Sequence, residues 1–462
     1  MGNSQSHVPD PETASASLEK LGYKQELKRS LSLVDLIIYG LVFISPTTYA
    51  LFGIVFNKSE GMVPLVYLAG LVPMLLTAMG YAFLSREFPV AGSVYVYAGR
   101  TIGPGPGFIA GWVMLLDYLL IPTLVYVVAA IQINAVLPDV PSWLAVVVPL
   151  TLCTCINLLG IETTAKTNKV LLSLNLIILS IFLVAGIVAL FQGTAGAHLS
   201  FKPFWNAETV SPALIFSAMS ITMLAYTGFD AISTLAEESK ESSALLGRAT
   251  LLSLCIVGPL FVIQNYLASL FVLDRTSFPD GAPTDGALFD IASTIAGPWL
   301  KVLTSVGSLV VVGVPMALAA QVATARLLFS MARDGKLPRA LASVHVSRKV
   351  PDRAILLVAT VTVILSLTLV GHLDLLASMV SFGALTGFLM LNLSVVAYFM
   401  WRKKSKNWVQ HLVVPLIAFV TIASVLLNTA TTAKIVGLSW LAVGAVVLIG
   451  LKLRHKQATL PA

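Results

Sequence analysis

Five consecutive residues, Tyr226, Thr227, Gly228, Phe229 and Asp230, carry the densest chemistry in this chain. They interrupt the apolar stretch FSAMSITMLAYTGFDAISTLAEE, Phe216 to Glu238, where Leu and Val would face lipid. Glycine there weakens a helix by roughly 1 kcal/mol, and a central aspartate adds about 2.5 to 3.5 kcal/mol on insertion scales. Such residues are tolerated at membrane depth where the backbone opens inside the protein and lines a cavity. The five therefore read as one wall of a binding site. Ser45, Pro46, Thr47 and Thr48 make a similar interruption in IIYGLVFISPTTYALFGI, where Pro46 lacks an amide and frees the carbonyl of Val42. Taken alone this is equally a proline kink. Opened helix ends present unpaired amides that suit a carboxylate.

Asp117 is a third feature, about ten residues into an apolar run and hence roughly 15 Å deep in a core of roughly 30 Å. Tyr118 follows it, and Pro122 frees the Tyr118 carbonyl. An intramembrane carboxylate is a functional hypothesis by default. The alternative for Asp117 is a structural role, bonded to freed donors or a tyrosine; for Asp230 it is capping the second half of its helix. If both line a cavity, they could receive cationic amino groups or protons. An amino acid would use the acids and the helix ends together, whereas a diamine would use the acids and aromatics. Glu237 and Glu238 could pair with Lys or Arg as a gate, or simply form a solvated helix end.

The elements that must position these residues are membrane helices. The chain is 57% hydrophobic and 11% charged, far from the roughly 25% charged residues of soluble domains. Apolar runs long enough to span, at roughly 20 residues each, fall at 33–56, 62–85, 107–136, 142–160, 168–192, 211–236, 247–273, 297–328, 354–371, 374–401, 409–428 and 433–453. The expected architecture is an all-α integral membrane protein with twelve transmembrane helices. Residues 1–30 form a flexible cytosolic tail, with a second tail at 454–462.

Basic residues crowd one side of this scheme, including Arg86, Arg100, the stretch from Arg326 to Arg353, and the cluster Arg402, Lys403, Lys404 and Lys406. By the positive-inside rule that side is cytoplasmic and holds both termini. The net charge of +7 is thus an orientation signal and not a nucleic-acid footprint. Between the runs, Arg86 to Tyr97 reads as a short re-entrant or interfacial helix, and Asp274 to Asp290 reads as a solvated loop. Interruptions in the first and sixth helices point to a five-plus-five inverted repeat, 31–192 and 211–401, with 402–453 supplying two additional helices.

Cys153, Cys155 and Cys255 lack metal-ligand spacing, no His lies in mid-span, and no phosphate-binding GxxxxGKS/T segment is present. No cofactor, metal or enzymatic reaction is expected. The segments REFPVAGSVYVYA (Arg86 to Ala98), FIAGWVMLLDYLLIP (Phe108 to Pro122), YTGFDAISTLAEE (Tyr226 to Glu238) and ATARLLFSMARDGKLP (Ala323 to Pro338) resemble the amino acid, polyamine and organocation transporter superfamily. LLDYLLIP resembles the branch that contains bacterial putrescine importers. Those importers carry an aspartate shortly before the glycine matching Gly53, where this chain reads Thr48, Tyr49, Ala50, Leu51, Phe52.

The resemblance implies a permease of the plasma membrane, in bacteria the inner membrane. It would import amino acids or polyamines by alternating access, with cationic amines such as putrescine favoured and a proton preferred to sodium as coupling ion. Asn175 lies nearest to the fifth-helix lysine that, in some members, stands where related folds hold sodium. It joins Glu237, Glu238 and Thr324 as gating or coupling candidates. A neutral amino acid permease or exchanger is the alternative, and an ion channel or non-transporting amine sensor a more remote one.

Overall fold

The computed structural model describes residues 19, 22–136, 139–240, 243–369, 372–429 and 431–458. Most of the two expected tails, 1–18 and 459–462, therefore lies outside the described residues. Among those described the chain is helical without strands, and one isolated parallel bridge joins Leu31 to Ser239. Ten helices are long and apolar enough to cross a membrane. Their outer faces carry exposed Val, Leu, Ile and Phe, as Phe191 at 83% and Leu427 at 71% illustrate. This is a multi-pass membrane protein.

The first apolar run is too broken to count among the ten. Its first piece, α1 (Leu33–Ile44), starts with a reciprocal capping box between Ser32 and Asp35. It stops at Ser45, whose φ of 66° leaves the helical region one residue before Pro46. The second piece, α2 (Phe52–Ser59), resumes after a gap. Next come α3 (Val63–Glu87) and the short α4 (Val94–Thr101), which follows Gly92 at φ 123° and is buried from Val94 to Ala98. A short helix is present as expected in this region, but it begins at Val94 and runs to Thr101, past the bounds Arg86 to Tyr97, because α3 continues through Glu87. Then follow α5 (Pro104–Val136), α6 (Ser142–Leu159) and α7 (Ile161–Phe191). Helix α7 starts well before residue 168, because the chain breaks at Gly160 (φ 125°) and continues helically through its polar first turns.

The sixth run breaks as the first does. Helix α8 (Pro212–Tyr226) ends on extended Thr227, Gly228 turns at φ 116°, and a 3-10 stretch follows over Phe229–Leu235. A Cβ on Gly228 would lie 2.9 Å from Phe43 Cγ and 3.0 Å from the Phe43 carbonyl carbon. Glycine is thus what lets the two broken helices touch.

Helix α9 spans Ser243–Ser269. The segment after it corrects the reading of Asp274 to Asp290 as a solvated loop. Phe278 is 7% exposed and packs 5.0 Å from Phe56. The Asn57 amide accepts from Phe278 N at 2.7 Å and donates to Phe278 O at 2.9 Å. A single turn at Ala282–Asp285 then leads into α10 (Ala287–Ala296). The buried Phe278, Leu288 and Phe289 outweigh the exposed acids, so the segment folds over α2.

Helix α11 (Pro298–Arg333) includes a π turn at Ser308–Gly313. Helices α12 (Asp352–Thr368), α13 (Leu373–Val396, prolonged by a π turn to Arg402), α14 (Val414–Leu427) and α15 (Thr431–Ala458) complete the chain. Helix α15 is stapled to α5 by stacked Trp112 and Trp440, 4.7 Å apart. Each indole donates to the other's carbonyl, at 2.9 and 2.8 Å.

Candidate functional site

A cavity of about 180 Å³ lies where the α1–α2 break faces α5, the end of α8, and the π turn of α11. Of the residues singled out from sequence, Ser45, Thr47, Thr48 and Thr227 line it. Tyr49, Phe261 and Ser308 join them, with aliphatic side chains of α5 and α11 supplying a large apolar part of the wall. The lining holds no charged side chain. Its polar groups are hydroxyls and the amides of an opened helix, which can donate to an acceptor group of a small solute.

The remaining expected site residues sit around this cavity without facing it. The Tyr226 hydroxyl donates to the Tyr67 carbonyl at 3.0 Å, and its ring packs 5.1 Å from Phe261. Phe229 stacks on Phe388 at 5.3 Å and meets Tyr81 edge-on at 5.8 Å. Pro46 and Gly228 shape the two breaks, and neither is among the lining residues.

The two carboxylates come together beside the cavity. Ile121, which lines it, is one turn along α5 from Asp117. Asp230 is wholly buried, accepts from the Tyr118 hydroxyl, and accepts from Gly228 N at 3.1 Å, so it caps the turn that reopens the sixth run. Asp117 is equally buried, yet neither of its oxygens has a partner among the described residues. The backbone of α13 presses against it at Gly383, where a Cβ would lie 2.8 Å from Asp117 N. Thr324 Oγ1 donates at 2.6 Å to the Tyr118 carbonyl, the one that Pro122 leaves without an intrahelical donor. Asn175 is 1% exposed on α7, with its Oδ1 unpartnered and no place in the cavity wall.

Just past the 3-10 stretch, two ion pairs tie Glu237 and Glu238 to α11. Arg326 donates to Glu238 at 3.1 and 2.7 Å, with both side chains at most 1% exposed. Arg333 donates to Glu237 at 3.0 and 2.7 Å, and Glu237 also accepts from Ala91 N at 3.0 Å. Glu237 and Glu238 are thus paired and not a solvated helix end. Arg326 lies inside α11, as the run 297–328 expects, and the helix continues past that run to Arg333.

An N-terminal strap covers these pairs. Gln25 Nε2 donates to the Glu237 carbonyl at 2.8 Å, and the amides of Ser30 and Leu31 donate to the Glu238 carbonyl at 2.9 and 3.1 Å. The Tyr23 hydroxyl donates to Asp334 at 3.0 Å while Arg333 lies 4.2 Å from the centre of its ring. Burial, and then the Asp334 carboxylate, push the Tyr23 phenol above its ordinary range.

Several functional-looking residues escaped the sequence reading. Gln264 Oε1 accepts from Thr48 N at 3.2 Å, and Asn265 Nδ2 donates to Thr48 Oγ1 at 3.0 Å. Two adjacent amides in an otherwise apolar run were the available signal. Tyr49 and Ser308 gave none beyond their polarity, since a π turn is not visible in composition.

Residues 31–450 match the amino acid permease family. The chain is 33% identical over 430 residues to the low-affinity putrescine importer PlaP of Escherichia coli (strain K12), covering 92% of this chain and 93% of that one. It is 24% identical to the branched-chain amino acid permease BcaP of Bacillus subtilis (strain 168), over 94% and 95% of the two chains. It is 22% identical to the lysine-specific permease LysP of Lactococcus lactis, over 73% and 68%. The match over residues 31–450, together with a relative 33% identical along 92% of the chain, places this protein in the amino acid permease family.

Proposed function

We propose that the chain is a secondary active importer of amino acids or polyamines, with cationic amines favoured, working by alternating access and proton symport in the plasma membrane, in bacteria the inner membrane. The observation that carries this reading is Asp117, a fully buried carboxylate with no partner among the described residues, next to the Tyr118–Asp230 pair and one turn from the cavity. An isolated buried carboxylate is too costly to persist and must take up a proton or a cation. A proton-coupled amine carrier would use both options in turn. Ser45, Pro46, Thr47, Thr48, Tyr226, Thr227, Gly228 and Phe229 complete the substrate-binding set.

Twelve spans result if the ten helices are joined by the α1–α2 pair and by the 17-residue α12. In that scheme 31–192 and 211–401 are the inverted repeats, 402–453 the two added helices, and 1–30 and 454–462 cytoplasmic tails. Glu237 and Glu238 form the inner gate, with Asn175 and Thr324 in coupling roles.

The uncharged cavity lining favours a second reading, a neutral amino acid permease or exchanger, in which the acids handle protons alone. Proteoliposome uptake of labelled putrescine and a panel of amino acids, with and without an inward proton gradient, separates the two. Gradient-driven putrescine uptake lost in Asp117→Asn and Asp230→Asn supports the amine reading. Uptake confined to neutral amino acids supports the second. Binding without uptake, or conductance without substrate, removes both in favour of a sensor or a channel.

A further inference from the structure

The turn joining α13 to α14 reads WRKKSKNW, Trp401 to Trp408, with four basic and no acidic residues. It is tightly built. Lys403 N donates to the Tyr398 carbonyl and Ser405 N to the Phe399 carbonyl, both at 2.9 Å. Ser405 Oγ bonds His411 Nδ1 at 2.8 Å, and that ring stacks 4.2 Å from Phe399. Two of the cations are engaged within the protein, Lys403 on Glu87 at 2.6 Å and Arg402 on the Arg100 carbonyl at 2.6 Å. Lys404 and Lys406 are exposed and form no ion pair among the described residues. Beside them Trp401 and Trp408 are 74% and 59% exposed.

Position explains the combination. Trp401 closes the apolar span Leu375–Arg402, and Trp408 immediately precedes the span Val409–Leu427. Both indoles and both lysines therefore lie at the depth of the lipid headgroups, where tryptophan is favoured. A solute there must offer acceptor oxygens and negative charge to the ammonium groups, and apolar chains to the indoles and to exposed Val409 and Leu416. We propose that this turn binds the headgroup of an anionic phospholipid, with Lys404 and Lys406 on the phosphate and Trp401 and Trp408 against the glycerol and upper acyl chains. Attraction of a basic side chain to an anionic membrane surface is worth about fivefold in affinity per charge.

The test uses the purified full chain in neutral detergent, titrated with phosphatidylglycerol or phosphatidylcholine. Lipid retention by native mass spectrometry and protection against thermal unfolding are the readouts. The wild type should prefer phosphatidylglycerol, and Lys404→Gln/Lys406→Gln should lower that preference by roughly 25-fold. A second exposed basic pair, Lys166→Gln/Lys169→Gln, should leave it unchanged. All four positions are exposed, so the folds should persist, and added salt should weaken the wild-type preference without any mutation. An undiminished preference in the Lys404/Lys406 variant, an equal loss in the Lys166/Lys169 variant, indifference to salt, or equal protection by inorganic phosphate would each overturn the proposal.

Discussion

Removing the Glu238 carboxylate should loosen the hold of the sixth run's end on α11. In Glu238→Gln the Arg326 guanidinium stays buried at 1% exposure but loses its counter-charge, and its Nη1 already lacks a partner. Breaking a buried pair by removing one partner costs about 3 to 5 kcal/mol. Two charge-assisted bonds of about 1.5 to 3 kcal/mol each lead to the same range. If the pair exists only in the closed arrangement, the open population rises by roughly a hundredfold to several thousandfold. Replacing both partners, as in Glu238→Gln/Arg326→Met, removes the stranded charge and should recover much of that loss.

The assay is thiol labelling of Ala332→Cys, buried at 1% exposure six residues beyond Arg326 in α11, in a background lacking Cys153, Cys155 and Cys255. Labelling should be fast in Glu238→Gln, slower in the double variant and slowest in the parent. Equal labelling in all three, with unchanged melting temperatures, would refute the idea that this pair holds the end shut. A lower melting temperature with unchanged labelling would make the pair structural and not a gate.

Other outcomes follow from the same geometry. Gly228→Ala puts a methyl against Phe43 at a φ of 116°; at about 1 to 2 kcal/mol for the backbone alone, uptake should collapse while the protein still inserts. Thr324→Val leaves the Tyr118 carbonyl without its donor and should cost about 1 to 3 kcal/mol in thermal stability. Trp440→Ala removes a stack and the indole bond to the Trp112 carbonyl, so α15 should become protease-sensitive while uptake persists. For Tyr23 the folded-state pKa is raised. Its contribution is therefore complete below the ordinary phenol range near 10 and is lost only as pH climbs through the raised value. Tyr23→Phe should weaken the strap by about 1 kcal/mol at neutral pH and abolish that alkaline dependence, read from Ala332→Cys labelling.

The sequence alone determined the class of protein and the places where its helices fail. Lipid leaves the backbone no partner but itself, so apolar length reports spans, and Pro46 and Gly228 report breaks wherever they fall in such a run. The pairing potential of Glu237 and Glu238 was legible for the same reason: buried charge needs a counter-charge. What only the tertiary structure decided was which side chains share a space. Thr227 faces the cavity while its neighbours Tyr226 and Phe229 turn to Tyr67 and Phe388, because the chain leaves the α-helix at extended Thr227 and turns again at Gly228 before the 3-10 stretch. The end of α11 was set at residue 328 and not at Arg333, since composition does not mark where a helix with basic last turns stops. The Asp274 to Asp290 segment was misjudged because its few apolar residues are buried by α2, which lies more than 200 residues away in sequence, as the Asn57–Phe278 bonds show. Local pattern carries the solvent's demand on the backbone, whereas the partner of each side chain depends on contacts distant in sequence.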